Sequence, residues 1–179
     1  ALINTNCRYS ITPPWVIKNY PEVERVLYLL RNNPCLQGCS YCNKSLDAKI
    51  GLKKYFGFDT YRNYGGKPLQ EDAVEAAINN KSILAVFPTG GGKSIAFQVP
   101  ALMSGESVKG LTVVISPLQS LMKDQVDNLE NLNITEAVTI NGLLDPIERA
   151  KSFARVENGA ASILYISPES LRSKSIERL

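Results

Sequence analysis

The run Pro88-Thr89-Gly90-Gly91-Gly92-Lys93-Ser94 carries the plainest chemistry in this sequence. Consecutive glycines let a backbone bend until several N–H groups converge on one anion, and a helix starting at the end of the run adds the positive end of its dipole. A lysine placed next reaches the β- and γ-phosphates of a nucleoside triphosphate, and the hydroxyl after it ligates Mg²⁺. Lys93 and Ser94 are therefore the expected catalytic residues, Ser94 through the metal, with Pro88, Thr89, Gly90, Gly91 and Gly92 completing a cradle for ATP and Mg²⁺. The full Walker A pattern has glycine where Phe87 stands here, so the assignment rests on an expected strand, Ile83–Phe87, leading into the loop and a helix leaving it. A second group of chemically able residues is Cys7, Cys35, Cys39 and Cys42, which are all the cysteines of the chain. Four thiolates suit tetrahedral Zn²⁺ or an iron–sulfur cluster, and the alternative is four reduced, unliganded thiols.

The elements that must position these groups follow from composition and periodicity. With 179 residues, 44% apolar and 21% charged, the chain can bury one substantial core, which argues against disorder. A net charge of +3 permits nucleic-acid binding without requiring it. No apolar run approaches the roughly 20 residues that span a bilayer, and no basic segment followed by an apolar stretch opens the chain, so a cytoplasmic protein without membrane contact is expected. Residues 1–50, with the cysteines and Trp15, read as a small separate module containing a helix from Pro21 to Arg31 and a turn-rich cysteine stretch. Residues 51–179 read differently. Ser45 is the expected cap of a helix ending at Phe56 with Gly57 beyond it, and Gln70 to Asn80 gives another short helix after a loop at Asn63–Pro68. From Ser82 onward, short β-rich runs at Ile83–Phe87, Leu111–Ser116, Glu136–Ile140 and Ser162–Ser167 alternate with helices starting near Gly92, Pro117 and Pro146. Such runs are expected as strands of a parallel sheet buried on both faces, joined by right-handed crossovers, with ligands beyond their carboxyl ends. The fold class expected is thus α/β, a P-loop lobe with a parallel sheet and flanking helices behind a small helical cysteine module. Ser170–Leu179 read as a closing helix, and with Ala at position 1 the chain is expected to be a fragment.

Pro-Thr-Gly-Gly-Gly-Lys-Ser resembles the first motif of superfamily-two helicases, and of RecQ-type DNA helicases in particular. Four further segments resemble that family in order. Leu52–Phe58 with Tyr61-Arg62 and Pro68-Leu69-Gln70 is similar to its adenine-reading motif, which implies Arg62 and Gln70 as base contacts. Ser116–Val126 is similar to its DNA-backbone motif, which implies Ser116, Pro117, Gln119, Ser120 and Lys123 as nucleic-acid contacts, whereas the residues alone allow a plain helix cap. Asn141-Gly142 and Tyr165–Leu171 match the next two positions, the first implying a DNA contact at Asn141. In the family the arginine and glutamine of the adenine motif lie three positions apart, and here eight separate them. The resemblance implies an ATP-driven motor acting on single-stranded or partly single-stranded DNA together with a second helicase lobe. It also implies an Asp-Glu-Ala-His motif, which these 179 residues do not contain, so this piece alone is not expected to hydrolyse ATP. Two rivals remain: a radical S-adenosylmethionine enzyme, whose spacing Cys35-x₃-Cys39-x₂-Cys42 shares, and another P-loop nucleotide-binding protein such as a small-molecule kinase.

Overall fold

Asp47 opens the first long element: its carboxylate accepts the Ile50 N–H at 2.9 Å, capping a helix over Ala48–Phe56. Gly57 closes it in the left-handed region at φ 71°, its N–H bonded to Lys53 O. The cap is therefore Asp47 and not Ser45, because Ser45 is the last residue of a preceding short helix, α1 (Ser40–Ser45). That helix takes up part of the stretch expected as turns, and Ala48–Phe56 is α2. The computed structural model describes residues 19–22, 33, 34, 36–108, 110–142, 144–173 and 176. Cys7, Trp15, Cys35 and nearly all of the expected Pro21–Arg31 helix lie outside them.

The remaining elements are α3 (Leu69–Ile78), α4 (Lys93–Val108), β1 (Thr112–Ile115), α5 (Gln119–Glu130), β2 (Ala137–Ile140), α6 (Pro146–Glu157), β3 (Ile163–Ile166) and a 3₁₀ turn at Pro168–Arg172. Asp145 caps α6 through the Ile147 and Glu148 N–H groups, each at 2.8 Å, with Pro146 in the first turn. The 3₁₀ turn stands where a longer closing helix was expected; of its proposed residues, 174, 175 and 177–179 lie outside the described ones.

The three strands are parallel in the order β1-β3-β2, with Val113 and Val138 both level with Leu164. Residues alternate across β3. Ile163 and Tyr165 face α4 and α5 in a core with Leu102, Met122, Val126 and Leu129, while Leu164 and Ile166 pack with Val138, Ile140, Phe153 and Val156 on the side of α6. Helices thus cover both faces. Leu52, Val74, Val99 and Met103 form a further cluster that ties α2 and α3 onto α4.

Two expectations fail here. Ile83–Phe87 forms no ladder among the described residues, and Leu84 and Val86 are 94% and 79% exposed. Apolar alternation supplies a face, but a strand also needs a neighbour for its backbone N–H and C=O groups, and among the described residues none pairs with it. Only Phe87 is anchored, in a small cluster with Ala73 and Ala96. The second concerns β1, which is not buried on both faces: Val113 and Ile115 are exposed, whereas β2 and β3 are buried throughout.

Candidate phosphate and nucleic-acid site

The 88–94 loop turns tightly before α4. Gly91 N–H donates to Pro88 O at 3.0 Å, and Gly90 and Gly92 have φ of 74° and 62°. A side chain at Gly92 would be strained at this φ, and its Cβ, 2.8 Å from Gln70 Nε2, would displace the Gln70 amide. Lys93 begins α4 and is exposed, without a salt bridge among the described residues. Ser94 follows it, half-buried. The first N–H groups of a helix have no intrahelical acceptor, so Lys93 and Ser94 offer donors at the loop's end.

The loop is held from outside through its carbonyls. Arg62 Nη1 donates to Gly90 O at 3.1 Å, the Tyr64 hydroxyl donates to Gly91 O, and Gln70 Nε2 donates to Gly92 O at 2.8 Å. Gln70 is itself buried, and its Oε1 accepts the Arg62 N–H at 2.8 Å. The eight-residue interval thus leaves Arg62 and Gln70 adjacent, and both spend hydrogen bonds on the loop. With these three carbonyls bonded to side chains and the Gly91 N–H bonded to Pro88 O, the donors offered to an anion are Lys93 and the first N–H groups of α4. The donor set fits a polyphosphate with its divalent cation: backbone N–H groups, one ammonium and one hydroxyl.

A cavity of about 690 Å³ opens from Thr89–Ser94 across Phe97 and Val114 to Ser116, Gln125 and Tyr165. It brings the loop and the head of the expected DNA motif to one space. Ser116 is half-buried and its Oγ accepts the Leu118 N–H at 3.4 Å, a local turn contact. Pro117, Ser120 and Lys123 are exposed and Gln119 half-buried, with α5 starting at Gln119, close to Pro117 as expected. Asn141 is apart from them: it is buried and donates to Thr139 Oγ1 at 3.2 Å.

Behind the cavity, Gln98 of α4 donates to Gln125 Oε1 of α5 at 3.0 Å and to the Tyr165 hydroxyl of β3 at 3.1 Å. Burial raises the Tyr165 pKa, an effect that the Gln98 bond partly offsets. No role was expected of Tyr64 or Gln98. The available signal for Gln98 was one amide among the apolar residues of α4; Tyr64 gave none, since it sat in a stretch read as loop.

Cys39 caps α1 and Cys42 lies within it, one turn on, both half-buried. Among the described residues no group of three or more His, Cys, Asp or Glu side chains could hold a metal ion. No helix is long and apolar enough to cross a membrane, again among the described residues.

Residues 67–178 match the family model of the DEAD/DEAH box helicases. The chain is 40% identical over 111 residues to the ATP-dependent DNA helicase hus2/rqh1 of Schizosaccharomyces pombe, covering 61% of this chain and 8% of that one. It is 39% identical over 128 residues to the ATP-dependent DNA helicase RecQ of Haemophilus influenzae and 40% over 129 residues to RecQ of Bacillus subtilis. These matches cover 72% of this chain and 19% and 20% of the two relatives, respectively. The chain therefore spans a fifth or less of each of these relatives. An α/β lobe with a glycine loop at the head of α4, matched over more than half its length, places the chain in the DEAD/DEAH box helicase family, on its RecQ-type side.

Proposed function

We propose that this lobe binds ATP with Mg²⁺ at the 88–94 loop and is the nucleotide-binding part of an ATP-dependent DNA helicase that translocates on or unwinds DNA. The observation that carries the reading is the glycine turn at the head of α4, whose three consecutive carbonyls are bonded by Arg62, Tyr64 and Gln70. In this reading Lys93 neutralises the β/γ-phosphates, Ser94 ligates the cation, and Pro88, Thr89 and Gly90–Gly92 form the cradle. Bound Mg²⁺ would supply further charge neutralisation of the phosphates. Arg62 and Gln70 border the base, with Gln70 positioning the loop at the same time. Residues 51–179 act as the ATP-binding lobe, working against a second helicase lobe, and residues 1–50 as a cysteine module, α2 crossing the join. Cytoplasmic or nuclear placement belongs to the same proposal.

Cys39 and Cys42 would give half of a zinc site completed by Cys35 and Cys7, with an iron–sulfur cluster as the other ligand of the same thiolates. About one equivalent of zinc on metal analysis is the expected result; less than about a tenth contradicts it.

DNA is the proposed partner, held by Ser116, Pro117, Gln119, Ser120 and Lys123, with Asn141 after β2 as a separate contact. These are donors for phosphate rather than base edges, so binding should be weak and sequence-independent. With about two or three phosphates neutralised, log affinity for a labelled single strand should fall with log salt at a slope near −2, using roughly −0.7 per phosphate. Anisotropy across a salt series measures this. A flat response, or Gln119→Ala and Lys123→Ala both matching the parent, contradicts the DNA role.

A further inference from the structure

Asn63–Lys67 adds a small antiparallel hairpin beside the phosphate loop. Tyr64 and Lys67 exchange backbone bonds of 2.9 and 3.0 Å around Gly65 and Gly66, both at positive φ, so the tip closes in two residues. This turn accommodates the eight-residue interval between Arg62 and Gln70, which still bond to each other. Its effect is to present one side chain to the loop. The Tyr64 ring packs against Phe87 at a centroid distance of 5.5 Å, and its hydroxyl donates to Gly91 O. Phe87 in turn is the only buried residue of the otherwise exposed 83–87 segment that leads into the loop.

We propose that the Tyr64–Lys67 hairpin is a clamp on the phosphate loop and that Tyr64 is a positioning residue for polyphosphate binding. The inference rests on the reading of the loop as a nucleotide site. Arg62 and Gln70 hold the carbonyls on either side of Gly91, and Tyr64 holds the middle one. Gly91 closes the turn that begins at Pro88, and the Gly91–Gly92 peptide lies between two glycines, so that peptide can flip and reverse the direction of its carbonyl. A carbonyl swung inward would face the phosphates and repel them. The ring fixes the approach to the loop through Phe87, and the hydroxyl fixes the peptide itself. The clamp acts on phosphate and not on the base, because its contact is with the loop backbone.

Tyr64→Phe keeps the ring contact and removes only the hydroxyl. Calorimetric titrations of the parent, Tyr64→Phe and Lys93→Ala with MgATP and with inorganic triphosphate test the clamp. Tyr64→Phe should weaken both ligands alike by about three- to tenfold, the range of one hydrogen bond, with the thermal midpoint close to that of the parent. Tyr64→Ala should weaken both further. Equal affinities in Tyr64→Phe and the parent overturn the clamp, as does a loss confined to MgATP, which would assign Tyr64 to the base. If Lys93→Ala binds both ligands like the parent, the underlying nucleotide reading fails; if Lys93→Ala loses binding and Tyr64→Phe does not, only the clamp does.

Discussion

Gln98 is buried at 4% exposure in a helix whose neighbouring positions are Ala96, Phe97 and Val99, and its amide donates to Gln125 and Tyr165. A buried polar group left without its partner costs more than the bond itself contributes, so the three side chains act as a unit. Tyr165→Phe should lower stability by about 1 kcal/mol, and a Gln98→Ala/Gln125→Ala cycle should show coupling of at least about 0.5 kcal/mol in urea unfolding. Strict additivity would mean that the bond contributes nothing. The network joins the helix that begins at Lys93 to the helix that begins at Gln119, which puts the proposed nucleotide and DNA residues on connected elements. At this scale the tight glycine turn before α4 was legible because its residues are adjacent. The clamp was not, since Arg62, Tyr64 and Gln70 meet the loop across 22 to 28 positions, and the Gln98 network spans up to 67. Hydrophobic periodicity contains no information about which distant partner an amide will find.

Among the elements, the 83–87 segment separates what apolar alternation implies from what a sheet requires. The other three strand expectations hold to within one residue at either end, and each of those strands has a partner to complete its ladder. Leu84 meets solvent and Phe87 meets Tyr64, Ala73 and Ala96, so the two residues should respond oppositely. Leu84→Lys is expected to change unfolding free energy by no more than about 0.5 kcal/mol, the usual range for an exposed site. Phe87→Ala should cost about 3 kcal/mol through the cavity it leaves. Urea titrations of the two variants decide it: a large loss in Leu84→Lys would place the segment in a ladder after all. Helix caps show the same division, for Asp47 and Ser45 are both good capping residues and only the run of α1 through Ser45 selects between them.

On the scale of the molecule, α4 and α5 cover one face of the sheet and α6 the other, α2 and α3 brace α4, and the loop stands at the head of the braced helix. Alternation of strand and helix made this architecture readable, because parallel strands demand helices between them. The side groups that fix the loop come from α3 and the connection between α2 and α3, before the sheet, and no periodicity connects the two. The central claim is that this arrangement holds a triphosphate by charge and by oriented backbone N–H groups. Calorimetric titration of the 179-residue chain with MgATP, beside Lys93→Ala, tests it most directly. Removing a charged partner should weaken binding by about tenfold or more while leaving the thermal midpoint in place, since Lys93 is exposed and makes no salt bridge among the described residues. Lys93→Ala binding MgATP as tightly as the parent would contradict the account.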